Sequence, residues 1–268
     1  MIAELNGVRI GFDDTGSGTP VLFIHGFPHD RTLWSEQCSA LSTHVRCIAP
    51  DLRGFGESST DGPFSVDQYA DDLAQLLGHL DVTRAVVCGL SMGGYVAMAL
   101  WRRHAALVSA LVLCDTKAGA DTEDGRKKRD ELIALAEREG SAAVAATQIA
   151  GMVGKTTREK RSDIVKRAEI MMQRAPVAGI VGALTAMRDR PDSKQTLSTV
   201  TVRTVVVVGA EDVLTPRAEA EAIVAALPPQ AHGRLEVVDG SGHASCLERP
   251  AAVTHVLADF LAALSIHS

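Results

Sequence analysis

Apolar residues in this chain gather in short, nearly uninterrupted blocks, separated by longer stretches in which they recur every three or four positions. The blocks at 21–24, 45–49, 85–88, 110–114, 204–208 and 235–238 have the continuity of strands buried on both faces. Helical periodicity fills the gaps at about 30–42, 65–80, 92–104, 216–227 and 249–264. This alternation predicts an α/β fold, with a mostly parallel central sheet and helices on both faces. Function in such sheets gathers at the carboxyl ends of the strands. The first residues read differently. Runs at 2–5 and 8–12 flank Asn6-Gly7, a dipeptide suited to the positive φ angles of a type I′ hairpin turn.

The alternation stops between 116 and 200, where only helical periodicity is found, at 126–139, 141–152, 158–173 and 177–187. That stretch has no Phe, Trp or Tyr but holds four of the seven methionines, Met152, Met171, Met172 and Met187. Residues 1–115 and 201–268 therefore form the expected core, and 116–200 an inserted helical cap. Flexible, polarizable methionines suit an adaptable apolar wall, so Met171, Met172 and Met187 are expected to face the substrate. The run Arg126-Lys127-Lys128-Arg129 lies near Asp130, Glu131, Glu137 and Glu139 and reads as a solvated helix face.

Composition narrows the function. A chain of 268 residues suits one large domain or a domain with an insertion. With 46% hydrophobic and 22% charged residues it is not intrinsically disordered. No apolar run approaches the roughly 20 residues of a membrane span. A net charge of -6 argues against a nucleic-acid partner. The opening residues lack the basic and apolar regions of a secretory signal. Five cysteines, an odd number without paired spacing, read as reduced thiols in a cytoplasmic protein. Cys47, Cys88 and Cys114 fall inside strand-like runs, as small core residues do.

The chemistry centres on Gly89-Leu90-Ser91-Met92-Gly93-Gly94, a G-x-S-x-G elbow set between a predicted strand and a predicted helix. The sharp turn strains the serine backbone, and glycine at 89 and 93 removes a Cβ from the crowded approach. Ser91 needs a base, and the base needs an orienting carboxylate. Among nine histidines, His243 in Ser241-Gly242-His243 follows the last strand at the correct edge. His79, His104 and His255 lie on helices, His44 and His232 precede strands, and His267 is terminal. His25 reads as a structural residue that shapes the loop after the first core strand. Asp212 follows the strand at 204–208 and gives the chain order serine, acid, histidine. Asp115 emerges at the same edge and competes with it, and Glu211 is a weaker candidate. Asp51 reads as a local pin for its turn. Two backbone N–H groups, of Phe27 and Met92, are placed to hold an oxyanion.

His25-Gly26-Phe27-Pro28, Asp51-Leu52-Arg53-Gly54-Phe55-Gly56-Glu57-Ser58, the Ser91 elbow, Gly209-Ala210-Glu211-Asp212 and Gly242-His243 together resemble the α/β-hydrolase superfamily. Within it the chain is similar to small bacterial carboxylesterases and 3-oxoadipate enol-lactonases. Haloalkane dehalogenases and epoxide hydrolases carry an Asp where this chain has Ser91, which sets those activities aside. The resemblance implies a serine hydrolase acting on a small-molecule carboxylic ester through an acyl-enzyme, with catalytic Ser91, Asp212 and His243. It implies no cofactor, and the sequence offers no metal cluster or phosphate-binding loop. One alternative is an enol-lactonase or carbon–carbon bond hydrolase on an acidic ring-cleavage product, with Arg188 or Arg190 as anchor. Another is a ligand receptor that kept the fold without the turnover.

Overall fold

Strands β1 (Ile2–Leu5) and β2 (Val8–Thr15) form the expected hairpin, with Leu5 opposite Val8 and positive φ at both Asn6 and Gly7. The computed structural model describes residues 1–265, so His267 and the end of the 201–268 segment lie outside the described residues. After the hairpin come β3 (Pro20–Ile24), β4 (Arg46–Pro50), β5 (Ala85–Leu90), β6 (Val108–Cys114), β7 (Thr204–Gly209) and β8 (Arg234–Val238). They join in one sheet of order β1-β2-β4-β3-β5-β6-β7-β8. β1, β2 and β4 pair antiparallel, and every other neighbouring pair is parallel. The chain moves outward from β3 to β4 on one side and to β5 on the other. A crevice therefore opens at their carboxyl ends.

The uninterrupted apolar runs are buried on both faces. Along β7, Val206 and Val208 belong to one core cluster, while Val205 and Val207 belong to the other. Helices α2 (Val66–His79) and α3 (Met92–His104) add Leu73, Leu76 and Val96 to the first cluster. The C-terminal helix α11 (Pro250–Ser265) adds Val253, Leu257 and Phe260 to the second. Cys47, Cys88 and Cys114 sit in that second cluster. The helix expected at 30–42 begins as a 3-10 turn, Arg31–Trp34, capped by Asp30, before α1 (Ser35–Leu41).

No described residue between Cys114 and Thr204 lies in a strand. This segment carries α4 (Glu123–Met152), α5 (Lys155–Lys160), α6 (Ser162–Gln173), α7 (Val177–Arg188) and the short α8 (Lys194–Leu197). Gly140, at φ 80°, breaks α4 between the two helices that the periodicity predicts there. The run expected at 158–173 divides at Arg161 into α5 and α6. The remaining core helices are α9 (Arg217–Ala226) and α10 (Ser245–Glu248). No single described helix is long and apolar enough to cross a membrane.

Candidate active site

β5 ends at Leu90 and α3 begins at Met92, so Ser91 is the one residue on which strand becomes helix. Its φ of 54° and ψ of -113° fall where residues other than glycine are rare. The crowding around it is real. A Cβ on Gly89 would stand 2.2 Å from the Gly93 carbonyl oxygen, and one on Gly93 would stand 2.3 Å from that of Ile24. Neighbouring β6 holds the turn: Ser91 N–H donates to the Cys114 carbonyl at 2.9 Å, and the Thr116 hydroxyl donates to the Ser91 carbonyl at 2.8 Å. Ser91 occupies the N-cap position of α3, but its side chain does not cap the helix. Its Oγ lies 2.7 Å from Nε2 of His243 instead.

His243 follows β8, and its Nδ1 lies 2.9 Å from Oδ2 of Asp212, which follows β7. With Asp212 ionised, Nδ1 carries the proton, leaving Nε2 to accept from the serine hydroxyl. Both side chains are almost wholly buried. Asp212 collects three further donors: Leu214 N–H at 2.8 Å, Thr215 N–H at 3.0 Å and the Thr215 hydroxyl at 2.6 Å. Burial pushes this carboxyl up, but the imidazole and these donors outweigh it and hold the carboxyl below the usual range. The structure thus brings Ser91, His243 and Asp212 into one hydrogen-bonded chain able to withdraw the serine proton.

The rival carboxylates point elsewhere. Asp115 is buried, accepts Gly209 N–H at 2.7 Å and the Ser245 hydroxyl, and so ties the end of β6 to β7 and α10. Burial, then repulsion from Asp212, pushes Asp115 well above the ordinary carboxylate range. Glu211 turns to the helical insertion, accepting the backbone N–H and hydroxyl of Thr156. Asp51 accepts Arg31 N–H at 2.8 Å and Glu57 N–H at 2.9 Å, and pins its turn.

Nε2 of His25 accepts Leu52 N–H at 2.9 Å, so its Nδ1 donates to the Gly26 carbonyl at the same distance. It shapes the loop after β3, where Gly26 abuts Ser91 and Phe27 follows. Met92 is the first residue of α3, and the first N–H groups of a helix have no intrahelical partner. His29, which sequence reasoning left aside, is buried in the same loop, and burial pushes it down to about 3, so it stays neutral.

A cavity of about 110 Å³ opens at Ser91 and His243. Phe27, Met152, Met187 and Leu214 give it apolar walls, while Tyr95, Gln148, Thr215, Lys117 and Arg129 give it polar ones. Two of the expected methionines are not brought here. Met171 borders a separate cavity with His29 and Arg174, and Met172 is fully buried in the second core cluster. Periodicity identifies the buried face of α6, and that face packs on the core. Arg188 pairs with Asp130 and Asp189 at the surface. Arg190 is buried behind Tyr95, its guanidinium 4.1 Å from the ring centroid. Arg129 departs from its solvated-face reading: it turns inward to Asp121 and borders the cavity. Thr215, Lys117, Tyr95, Gln148 and Leu214 escaped the sequence reading. Thr215 had a signal, standing three residues after Asp212 in the turn before a helix.

Fold and site together define a hydrolase architecture with a serine at the strand-to-helix elbow. The chain belongs to the alpha/beta hydrolase family, whose model matches residues 21–256. It is similar to a thermophilic esterase from Thermogutta terrifontis, solved with malate bound, at 35% identity over 98% of each chain and a TM-score of 0.94. The enol-lactonase of Burkholderia xenovorans LB400 superposes at a TM-score of 0.90, with 25% identity over 98% of this chain and 100% of that one. 3-Oxoadipate enol-lactonase 1 of Acinetobacter baylyi is 24% identical over 97% of this chain and 96% of its own length.

Proposed function

We propose that the protein is a serine hydrolase that cleaves small carboxylic esters through an acyl-enzyme. The contact of Ser91 Oγ with Nε2 of His243 at 2.7 Å, backed by Asp212, carries this reading. As Oγ attacks the ester carbonyl carbon, its proton passes to Nε2, and the resulting imidazolium is stabilised by Asp212. The carbonyl oxygen gains negative charge and takes hydrogen bonds from the backbone N–H groups of Phe27 and Met92, with the N-terminus of α3 favouring that charge. When the carbon–oxygen bond to the alcohol breaks, Nε2 returns the proton to the departing oxygen. His243 then takes a proton from a water that attacks the acyl carbon, and as the bond from that carbon to Ser91 Oγ breaks, Nε2 returns the proton to Oγ and the acid is released.

A lactone is an internal ester and follows the same steps. The enol-lactonases among the similar proteins favour that second reading. The five cysteines are all free, which supports a reducing compartment such as the cytoplasm. Labelling with a fluorophosphonate tests the core of the proposal. A covalent adduct on Ser91, absent from Ser91→Ala, is the expected result, together with turnover of a p-nitrophenyl ester. A folded protein that takes no label and turns over no ester or lactone would instead be a ligand receptor.

A further inference from the structure

The Ser91 cavity is electrically lopsided. Lys117 and Arg129 border it, and no carboxylate among the described residues does. Both of these cations pair with Asp121, a buried carboxylate shared by three cations. Lys117 Nζ lies 3.2 Å from Oδ1, Arg129 Nε 3.1 Å from Oδ2, and Arg190 Nη1 2.9 Å from Oδ1. Burial pushes Asp121 up, but Arg129 and Arg190 outweigh that and hold it below the usual range, so it stays ionised. One negative charge thus meets three positive ones, two of which border the cavity. Lys117 and Arg129 are only 25% and 21% exposed.

The donor geometry fits an anion. Arg129 uses Nε for Asp121, which leaves its Nη groups for a second acceptor. Arg190 is committed elsewhere: it donates to the carbonyls of Met187 and Gly119 and stacks on Tyr95, so it braces the cluster from behind. A cleft lined by one sign of charge with low-dielectric walls concentrates ligands of the opposite sign. We propose that Lys117 and Arg129, positioned by Asp121, form a carboxylate subsite within the Ser91 cavity, so that the preferred substrate is a small ester or lactone carrying a free carboxylate. The inference rests on the ester-hydrolase reading for its chemistry, but the anion site itself can be measured without turnover.

Two measurements test it. Calorimetric titration of the intact protein with glutarate and with neutral glutaramide should show binding of the dianion alone. The kcat/KM ratio for mono-p-nitrophenyl glutarate over p-nitrophenyl butyrate should fall about tenfold or more in Lys117→Met and in Arg129→Gln. Arg129→Lys should keep more of the ratio than Arg129→Gln, because it retains the charge. Raising salt from about 0.05 to 0.5 M should lower the ratio in the unmodified protein, where no folding question arises. Equal binding of glutarate and glutaramide, or a ratio indifferent to salt and to both substitutions, would overturn the subsite. Glutarate binding without ester turnover or fluorophosphonate labelling would overturn the hydrolase reading and leave the subsite standing.

Discussion

Glu248 accepts the backbone N–H of Gly242 through Oε1 and that of Gly154 through Oε2, both at 2.8 Å. One buried carboxylate thus joins the residue before His243 to the turn between α4 and α5. Glu248→Gln keeps the shape but can present an amide N–H to a backbone donor, which leaves one of the two unsatisfied. The variant should melt at a lower temperature and lose about tenfold in kcat, with a smaller change in KM. A purely structural role would move the melting temperature alone.

Asp212 and Asp115 can be set against each other. Asp212→Asn removes the charge that stabilises the imidazolium and can fix His243 in the wrong tautomer, so kcat should fall about 10⁴-fold. Asp115→Asn should lower it by only about tenfold, since Asp115 contacts Gly209 and Ser245 rather than His243. Steady-state rates of the two folded variants decide the matter. A larger loss in Asp115→Asn would reassign the acid.

The same Asp115 substitution has a stability signature. Its carboxyl is raised in the folded protein, so the folded state binds its proton more tightly than the unfolded chain does. Its contribution to stability is therefore full below about pH 4, the ordinary Asp value, and is lost as the pH rises toward the folded value. Asparagine can still accept from Gly209 and donate to Ser245, but it does not ionise. Thermal unfolding between pH 4 and 8 should show the melting temperature of the unmodified protein falling relative to Asp115→Asn as the pH rises.

Met187 and Met172 should respond differently to truncation. Met187→Ala enlarges the cavity wall and should shift the preferred acyl length across a p-nitrophenyl ester series. Met172→Ala empties a packed core position and should lower stability by about 2–5 kcal/mol without reordering that series.

The elbow at Ser91 was legible because its demands are local: a turn between strand and helix, with glycine wherever a Cβ would strike a backbone oxygen. The parallel sheet was legible because runs such as 204–208 bury every residue. The lining of the cavity was far less so. Periodicity tells which face of a helix is buried, not what it is buried against. The pattern therefore directs Met172 toward the substrate, whereas it packs in the core. The basic run at 126–129 reads as solvated because Asp121, the partner that turns Arg129 inward, precedes the helix. Asp212 stood out through its place after β7, while Thr215 gains its role from a contact made only once the turn closes.

The insertion between β6 and β7 is clasped at its base. Ser193 N–H donates to the Ala118 carbonyl at 2.9 Å, and Arg190 donates to that of Gly119 at 2.7 Å. Lys117, Asp121 and Arg190 all lie at this clasp, whereas Met152 and Met187, which supply apolar wall, belong to the helices beyond it. A graft that exchanged those helices and kept the clasp would resize the chamber and take Arg129 with α4, while keeping Lys117 and Asp121. A single change at Lys117 would alter the charge and leave the apolar walls of Met152 and Met187 in place. The room for a guest molecule and the Lys117 half of its permitted charge are thus written in separate stretches of the chain, so that engineering can alter the first while leaving the second in place.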